Sequence, residues 1–436
     1  MKKYLTELFE KKEAVICIVG LGYVGIPIVK KYLEAGFSVI GIDIDKHKVN
    51  KLWSGVSPIK HLNCEDFPKY IENKKLHLSY SYYESDIKRA HAIIICVPTP
   101  LTKQREPDLT CVKSVCESIT PYLKPGHIIS LESTTYPGTT EDVMMPIFAK
   151  NTSIEIDADE LFIVYSPERE DPGNKDFDVS STPKVIGALN KDSLELGTLL
   201  YKQIVKELVP VSSLKAAEMV KILENTYRAV NIALVNELKI VCEKMDLDVF
   251  EIINAAKTKP YGYQAFYPGP GLGGHCIPID PFYLTWKARE YDVNTEFIEL
   301  AGKVNTYMPH YVVQNTLKNL YLKNITNKEI LIVGITYKPN VDDLRESPAL
   351  KIMEELDKLG FFLSFYDPYI KEVTLENGTK INQMPAFIPL TLSTYACAII
   401  VTNHSDIDYE MLRKNSKLVI DTRGIYPKDS ENVVKS

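Results

Sequence analysis

The chain has 436 residues, of which 45% are hydrophobic and 25% are charged, a composition typical of globular proteins. This length exceeds what a single hydrophobic core supports and predicts two or three domains. The formal net charge of −6 excludes a global positive field of the kind that attracts nucleic acid, so no nucleic-acid partner is expected.

The sequence predicts neither a membrane span nor a metal site. It has no run of about 18 apolar residues, and residues 1–20 lack the apolar core and small-residue cleavage site of a signal peptide. The eight cysteines form no C-x-x-C pair, and several lie within apolar, strand-like runs. No histidine has a partner at metal-ligand spacing. We therefore expect reduced thiols, a cytoplasmic location, no membrane partner and no metal.

The first part of the chain has the pattern of a parallel sheet. Residues 14–19 form a continuous apolar run, followed by a glycine-rich turn, a helical segment ending at Gly36 and a second strand over 37–43. Further buried strands are predicted at 92–97, 127–131 and 161–165. Strand, helix and strand in this order predict a doubly wound α/β sheet over the first 200 residues or so.

A dinucleotide-binding motif lies directly after the first strand. In GLGYVG (20–25), Gly20 permits the tight turn, Gly22 lets a pyrophosphate approach the backbone, and Gly25 lets helix and strand pack closely. Asp43 ends the second strand, where an acidic side chain binds the ribose 2′-hydroxyl of NAD and repels the 2′-phosphate of NADP. The motif in this setting predicts NAD as the cofactor.

Three polar segments follow predicted strands: PTP at 98–100, ESTT at 132–135 and SPER at 166–169. The carboxyl ends of parallel strands are where an open α/β sheet binds its ligand. Each segment alone could be a loop cap, but three at one sheet edge predict a binding site.

A long helix is predicted over 215–245, which contains neither Gly nor Pro. Glu218, Lys221 and Asn225 lie on one face of it, where a lysine and an amide could stabilise a developing oxyanion. The alternative is a solvated polar stripe with a Glu–Lys pair.

The segment 266–280 contains four glycines within 269–274 and then Cys276. Unlike most of the other cysteines, Cys276 lies outside an apolar run, and Asp280 follows it by one helical turn. A cysteine nucleophile needs a nearby base, which Asp280 could supply. The alternative is a packing cysteine beside an anion-binding glycine nest. Adjacent side chains in a chain normally point apart, so a structural or ligand-contacting role is expected for His275 rather than catalysis.

Near residue 329 the opening pattern returns, with strand EILIVG, helix SPALKIMEELDKLG and a strand ending at Asp367. The fold class is therefore α/β, with two Rossmann-like doubly wound parallel-sheet domains joined by a long central helix and a helical middle domain. The predicted domains are residues 1–210, 211–315 and 316–436.

These residues resemble the UDP-glucose/GDP-mannose dehydrogenase family along nearly the whole chain. The matching segments are GLGYVG (20–25), VPTP (97–100), ESTTYPGTT (132–140), SPER (166–169), KILEN (221–225), GPGLGGHCIPIDP (269–281), TYKPNVDDLRESPAL (336–350) and DTRG (421–424). Within the family, GGHCIPIDPFYLTWKA and STTYPGTT are most similar to UDP-N-acetylglucosamine 6-dehydrogenases.

The resemblance implies NAD-dependent oxidation of the C6 alcohol of a UDP-sugar to a uronic acid, a precursor for surface polysaccharide. UDP-N-acetylglucosamine is the expected substrate, with UDP-N-acetylmannosamine, UDP-N-acetylgalactosamine and UDP-glucose as alternatives. Cys276 would carry the sugar as a thiohemiacetal and then as a thioester. Ile279 replaces a lysine of the members that oxidise UDP-glucose, which argues against that sugar. The family is typically dimeric, so a homodimer is expected.

The resemblance also assigns roles to individual positions. The implied catalytic residues are Cys276, Lys221, Asn225, Asp280, Thr134 and Glu168. Together with the glycine motif, it implies NAD contacts from Gly20, Gly22, Tyr23, Val24, Gly25, Asp43, Lys48, Pro98, Thr99, Thr134 and Arg345. The implied substrate contacts are Arg169, Lys221, Asn225, Tyr267, Leu272, Gly273, Lys338 and Arg423.

Two other functions compete with this one. A two-electron β-hydroxyacid dehydrogenase shares the first domain and the helical lysine and asparagine, but needs neither Cys276 nor a second nucleotide-type domain. A non-catalytic nucleotide-sugar binder would be expected to have lost catalytic residues, whereas Cys276, Lys221, Asn225 and Asp280 are all present.

Overall fold

The computed structural model describes residues 1–59, 62–102, 104–151, 154, 156, 160–169, 179–274, 277–428 and 430–436. His275 and Cys276, both singled out from the sequence, lie outside the described residues. The chain divides into two compact units, which are described separately. Unit 1 comprises Met1–Glu224 and Phe282–Val293, and unit 2 comprises Asn225–Pro281 and Asn294–Ser436.

Unit 1 is built on an eight-stranded sheet. Its strands are β1 (Val15–Val19), β2 (Ser38–Ile42), β3 (Leu76–Ser79), β4 (Ala92–Ile95), β5 (His127–Leu131), β6 (Leu161–Tyr165), β7 (Lys184–Ala188) and β8 (Leu208–Pro210). Its helices are α1 (Lys2–Glu10), α2 (Gly25–Glu34), α3 (Lys46–Trp53), α4 (Phe67–Glu72), α5 (Glu84–Arg89), α6 (Thr110–Ile119), α7 (Met145–Asn151) and α8 (Lys191–Tyr201). A π-helical turn, Thr140–Met144, precedes α7.

The strand order is β3-β2-β1-β4-β5-β6-β7-β8, which is a doubly wound arrangement. All neighbouring strands are parallel except β6 and β7, which pair antiparallel. The sequence predicted parallel strands only, so this antiparallel pair is a difference. The predicted strands corresponding to β1, β2, β4, β5 and β6 are confirmed.

The sheet of unit 1 is buried on both faces. Along β1, Ile16 and Ile18 belong to one hydrophobic cluster, whereas Cys17 and Val19 belong to another. Successive side chains of a strand point to opposite faces, so one apolar run supplies both cores. This explains why the first strand reads as continuously apolar.

Two helices contribute residues to both units. They are α9 (Leu214–Lys244), which confirms the predicted long central helix, and α11 (Asp280–Ala288). The hydroxyl of Ser213 accepts a hydrogen bond from the backbone N–H of Ala216 at the start of α9. Such a side chain satisfies one of the free N–H groups at a helix N-terminus.

Unit 2 contains a second, smaller parallel sheet of order β10-β9-β13-β14-β15. The strands of this sheet are β9 (Glu329–Val333), β10 (Phe362–Tyr366), β13 (Cys397–Ile400), β14 (Val419–Asp421) and β15 (Val433–Lys435). Two further strands, β11 (Glu372–Thr374) and β12 (Lys380–Asn382), form a separate antiparallel pair. Its other helices are α10 (Val249–Ala256), α12 (Glu296–Leu322), α13 (Pro348–Lys358), α14 (Pro389–Leu392) and α15 (Tyr409–Asn415).

The predicted α/β class, with two Rossmann-like sheets and a long central helix, is confirmed. The division into three domains at the stated boundaries stays a prediction. Across the described ranges, no helix has the length and apolar character needed to cross a membrane.

Candidate active-site residues

The glycine motif forms a tight turn between β1 and α2. A Cβ on Gly20 (φ +96°) would lie 2.5 Å from the carbonyl oxygen of Cys96, and a Cβ on Gly25 would lie 1.8 Å from that of Gly20. A Cβ on Gly22 would meet nothing within 4 Å. The first and last glycines are therefore required by packing, whereas Gly22 borders open space. This arrangement fits a pyrophosphate held against the backbone.

The N-terminus of α2 offers donors to that space. Gly25 is its first residue, and the side chain of Val24 makes no capping hydrogen bond. The first N–H groups of a helix have no partner inside the helix and carry a partial positive charge. Tyr23 and Val24, both partly buried, complete the predicted phosphate-binding turn.

Asp43 follows β2 and is buried, with 7% of its surface exposed. Its Oδ2 accepts hydrogen bonds from the backbone N–H of Leu21 at 2.9 Å and from Lys48 Nζ at 3.2 Å. Its Oδ1 accepts from the backbone N–H of Asp45 at 2.9 Å. Asp43 therefore holds the phosphate-binding turn and Lys48 in one cluster. The residues present fit the adenosine end of NAD.

Two of the predicted strand-end segments contact each other. Thr99 donates from its hydroxyl to the backbone oxygen of Thr134 at 2.7 Å, and Ser133 donates to the backbone oxygen of Val97 at 2.7 Å. Pro98 lies between Val97 and Thr99 in the sequence. The loops after β4 and β5 are thus joined at one edge of the sheet, as parallel topology requires.

The third segment contacts helix α9. Lys221 Nζ donates to the backbone oxygen of Glu168 at 2.7 Å and lies 3.3 Å from Glu168 Oε2. Lys221 is almost fully buried. The Glu–Lys pair within α9 that the sequence offered as an alternative is wrong, because the carboxylate facing Lys221 comes from the loop after β6.

Arg169, predicted to contact substrate, is paired within unit 1. It donates from Nη1 to the backbone oxygen of Pro183 at 2.6 Å and forms an ion pair with Glu224. Either partner would have to be exchanged for a substrate group if Arg169 binds the sugar nucleotide.

Glu218 contacts the segment that follows β5. Its Oε2 accepts from the backbone N–H of Gly138 at 2.5 Å, and its Oε1 accepts from the N–H of Thr140 at 2.9 Å and from its hydroxyl at 2.7 Å. Burial raises the pKa of Glu218 to about 7. The sequence placed Glu218 on the polar face of α9 but gave no sign of these distant partners.

A second buried charge pair joins two of the strand-end loops. Lys184 Nζ lies 2.8 Å from Glu132 Oε2 and also donates to the backbone oxygen of Pro167 at 3.2 Å. Glu132 opens the ESTT segment, so this pair ties β5 to the SPER loop through β7. Lys184 belongs to no recognisable motif and was not predicted from the sequence.

In unit 2, helix α9 contacts the first residue of α11. Asn225 Nδ2 donates to Asp280 Oδ2 at 2.6 Å, and both side chains are at least 95% buried, being 5% and 1% exposed. Asp280 follows Cys276 by four positions in the sequence. The structure thus brings the predicted amide and the predicted carboxylate into direct contact.

The glycine-rich segment packs closely within unit 2. The backbone N–H of Gly269 donates to Asn236 Oδ1 at 3.0 Å, and a Cβ on Gly273 would lie 2.7 Å from that of Tyr337. Leu272, which lies between Gly269 and Gly273 in the sequence, is partly buried. Tyr267, 42% exposed, donates from its hydroxyl to Asn254 Oδ1 at 2.8 Å.

The three basic residues predicted from the second α/β domain have different surroundings. Arg423 donates from Nε to the backbone oxygen of Val401 at 2.6 Å, and its Nη1 would lie 2.8 Å from a Cβ on Gly269. Arg345 forms an ion pair with the neighbouring Asp343 at 2.6 Å. Lys338 is partly buried in the loop after β9.

The second sheet repeats the aspartate of the first. Asp367 follows β10, and its Oδ2 accepts from the backbone N–H of Ile335 at 2.8 Å, as Asp43 does in unit 1. Here, however, His404 Nε2 lies 3.1 Å from the same oxygen, and both side chains are fully buried. The carboxylate of Asp367 is therefore enclosed.

A glycine turn opening a helix, an acidic residue after the second strand and polar strand-end loops define a dinucleotide-dependent dehydrogenase. The chain belongs to the UDP-glucose/GDP-mannose dehydrogenase family. The family's NAD binding domain matches residues 14–205, its central domain 215–307 and its UDP binding domain 331–428. The predicted family, the NAD cofactor and the enzyme class of NAD-dependent UDP-sugar dehydrogenase are confirmed.

Similar proteins cover nearly the same length. The chain is 33% identical to a UDP-N-acetyl-D-mannosamine dehydrogenase of Methanococcus maripaludis, over 94% of this chain and 92% of that one. It is 35% identical to a UDP-N-acetyl-D-glucosamine 6-dehydrogenase of Pseudomonas aeruginosa, over 82% and 84%. The solved structure of a UDP-D-ManNAc dehydrogenase from Pyrococcus horikoshii superposes with a TM-score of 0.84 at 28% identity, covering 96% and 98%.

Proposed function

We propose that this protein oxidises the C6 primary alcohol of a UDP-N-acetylhexosamine to a carboxylate, with two NAD reduced per sugar. The observation that carries the proposal is the buried hydrogen bond of 2.6 Å from Asn225 to Asp280. Asp280 follows Cys276 by four positions in the sequence. An amide donor, a carboxylate acceptor and a cysteine nucleophile are the groups that covalent oxidation of an aldehyde requires, and the sequence contains all three. A β-hydroxyacid dehydrogenase needs no UDP binding domain, which this chain has.

The proposed chemistry assigns a task to each group. NAD, when bound, accepts a hydride from the sugar carbon in each oxidation. Cys276 adds to the aldehyde as a thiolate and gives a thiohemiacetal, whose oxidation leaves a thioester that water hydrolyses. Asp280 takes the proton of the thiol and later that of the water. Asn225 donates to the developing oxyanion.

Further groups are proposed to support these steps. Lys221 supplies a buried positive charge that also stabilises oxyanions, and its contact with Glu168 holds that carboxylate in a defined position. Thr134 and Glu168 are proposed to orient water. The NAD contacts proposed are those of the glycine turn, Asp43, Lys48 and the PTP loop, and Arg345 is proposed to add charge.

Two sugars are the leading candidates. The segments GGHCIPIDPFYLTWKA and STTYPGTT, and the Pseudomonas relative, favour UDP-N-acetylglucosamine. The Methanococcus and Pyrococcus relatives favour UDP-N-acetylmannosamine, which is the second candidate. The two sugars differ only in configuration at C2, so small changes in pocket shape decide between them.

The test is an NADH-formation assay over a panel of UDP-sugars that includes both candidates, UDP-N-acetylgalactosamine and UDP-glucose. We expect turnover of at least one N-acetylated sugar, with two NADH formed per sugar consumed. One NADH per sugar would support a two-electron enzyme and contradict the proposal. No NADH with any member of the panel would also contradict it.

Cys276→Ser tests the covalent step. The serine ester should hydrolyse much more slowly than the thioester, so enzyme-bound acyl-sugar should accumulate and be visible by intact-protein mass spectrometry. Steady-state turnover should fall by at least about a hundred-fold. Cys242→Ser is the control, because Cys242 is a buried cysteine of α9 without a proposed catalytic role. Parental turnover in Cys276→Ser would refute covalent catalysis.

The proposed active form is a homodimer formed through α9. This helix exposes apolar side chains at helical spacing, Tyr227, Leu234, Leu238 and Val241, and the exposed Met245 directly follows it. A continuous exposed apolar stripe usually marks a protein interface. Leu234→Glu should convert a dimer to a monomer by light scattering, whereas Lys244→Glu, which changes an exposed residue that is already charged, should not. A monomeric parent protein would contradict this assembly.

A further inference from the structure

Lys239, on α9 in unit 2, is a buried cation that has no hydrogen-bonding partner among the residues that the structure describes. It is only 5% exposed, and no side chain or carbonyl of the described residues accepts a hydrogen bond from its Nζ. The ring of Tyr311 lies 5.7 Å from Nζ, which is a weak cation–π contact. Burying an ammonium group without an acceptor is costly, so such a group usually has a function.

The nearby carboxylates are engaged elsewhere. Glu243 accepts from the hydroxyl of Tyr311 and pairs with Lys318 at 3.5 Å. Asp421 accepts from the backbone N–H groups of Arg423 at 2.9 Å and Tyr426 at 3.0 Å. Neither carboxylate therefore neutralises Lys239 by direct contact.

A second cation, Arg423, faces the same region. Burial and then repulsion from Arg423 lower the pKa of Lys239 to about 7. The guanidinium of Arg423 lies against Gly269, whose backbone N–H donates to Asn236. Asn236 precedes Lys239 by three positions on α9, so both lie on the same side of that helix.

A buried cation and a partly buried cation beside a glycine-rich loop form a site for an anion. We propose that Lys239 and Arg423 together bind the pyrophosphate of the UDP-sugar next to Gly269. This rests on the proposed function only in taking the substrate to be a UDP-sugar. Arg423 was predicted from the sequence to contact the substrate, whereas Lys239 lies in an ordinary helical pattern that predicts no role for it.

The first test is the affinity of the full-length protein for UDP, measured by calorimetry. Lys239→Met removes the charge and keeps the length of the side chain, and should weaken UDP binding at least about ten-fold. Lys239→Arg should lose less than about three-fold, because it keeps the charge. Lys244→Met, on the same helix but exposed, is the matched control and should bind UDP normally. Binding of NAD should be unchanged in all three.

A structural role for Lys239 predicts different behaviour. Removing a buried unpaired charge relieves its desolvation cost, so Lys239→Met without ligand should melt at the same temperature as the parent or higher. The stabilisation that UDP adds to the melting temperature should nevertheless shrink. Unchanged UDP affinity in Lys239→Met would overturn the proposal, whatever its melting temperature.

Proton uptake gives a second test that uses the parent protein. The groups that face Lys239 are Glu243 on α9, Tyr311 on α12, and Asp421 and Arg423 at the end of β14. A bound pyrophosphate should raise the pKa of Lys239, so UDP binding at pH 8 should take up a proton. Calorimetry in buffers of different ionisation enthalpy measures this uptake. It should be larger in the parent than in Lys239→Met, and equal uptake would contradict the proposal.

These tests separate the two proposals. If UDP binds tightly through Lys239 but no sugar yields NADH, the proposed reaction fails and the anion site stands. If an N-acetylated sugar is oxidised but Lys239→Met binds UDP normally, the reaction stands and the anion site fails. If the parent protein does not bind UDP, the anion site is wrong.

Discussion

At the scale of single residues, buried carboxylates organise the loops of unit 1. Glu218 holds Gly138 and Thr140, and Glu132 is paired with Lys184. Both carboxylates join segments that are far apart in the sequence. Because the loops carry the predicted Thr134 and Glu168, we infer that these buried groups set the positions of the proposed active-site side chains.

Glu218→Gln should reveal a pH-dependent contribution to stability. Folding raises the pKa of Glu218 from 4.5 to about 7, so the folded state favours the protonated form. The stability from this group is greatest below pH 4.5 and is lost as pH rises to about 7, by about 3 kcal/mol in total. Glutamine does not titrate. The free energy of urea unfolding of the parent, relative to the variant, should therefore fall between pH 5 and pH 8. A constant difference would contradict this.

Asp43→Asn should weaken NAD binding. The amide retains one acceptor oxygen but presents an NH2 group to a cluster in which Leu21, Asp45 and Lys48 are all donors. We expect the KM for NAD to rise roughly ten-fold, with the KM for the UDP-sugar unchanged. Asp45→Asn is the control, because asparagine caps helix α3 as well as aspartate does. An equal rise in the KM for NAD and in the KM for the UDP-sugar would contradict the assignment of Asp43 to NAD.

Some of these residues could be predicted from the sequence and others could not. Gly20, Gly25 and Asp43 could be predicted because a local pattern of strand, turn and helix fixes their roles. Glu218 and Lys184 could not, because their partners lie 17 to 80 positions away and nothing local identifies them. Lys239 could not be identified for a related reason: what distinguishes it is that none of the described residues accepts a hydrogen bond from its Nζ.

At the scale of elements, the proposed functional residues lie in turns and at the ends of helices. Helix α2 begins within the glycine motif, and α11 begins at Asp280. Long apolar strands such as β1 were predictable because burial on both faces leaves an unbroken apolar run. The edge strand β8 was missed, since it has three residues and two of them are exposed. The antiparallel β7 was also missed, because its sequence does not encode its direction.

Two glycine substitutions separate packing from ligand binding in the turn before α2. Gly25→Ala should destabilise unit 1 by several kcal/mol, because its Cβ would lie 1.8 Å from the carbonyl oxygen of Gly20. Gly22→Ala meets no atom within 4 Å, so it should fold normally and raise the KM for NAD. Thermal melting and NAD kinetics distinguish them. Normal NAD binding by Gly22→Ala would contradict the predicted pyrophosphate position.

At the scale of the whole molecule, the chain has two units with separate cores. Apart from Arg345, the residues predicted to bind NAD fall in unit 1. The residues of the proposed pyrophosphate site, Lys239, Gly269 and Arg423, fall in unit 2. The double α/β plan was predictable because the strand pattern repeats after residue 329. The boundaries were harder to predict, because α9 and α11 serve both units.

Hydrogen exchange should show this division. NAD alone should protect the backbone amides of β1 and α2, while UDP alone should protect residues 269–274 and the end of β14. Bound ligands slow exchange where they stabilise local structure. The exposed α4 should be unaffected by either ligand and serves as an internal control. Protection of the glycine turn by UDP alone, to the extent given by NAD, would contradict the assignment.

The enclosed Asp367 has a consequence for redesigning this scaffold. Burial alone would raise its pKa, but hydrogen bonds from His404 and from backbone N–H groups lower it overall, so a stable internal pair fills the position. Grafting an adenosine pocket onto the smaller sheet would first require replacing His404, which would remove the imidazole partner and leave the buried Asp367 carboxylate with its backbone N–H donors alone. Engineers seeking to alter coenzyme preference should therefore direct their libraries to the residues around Asp43 alone.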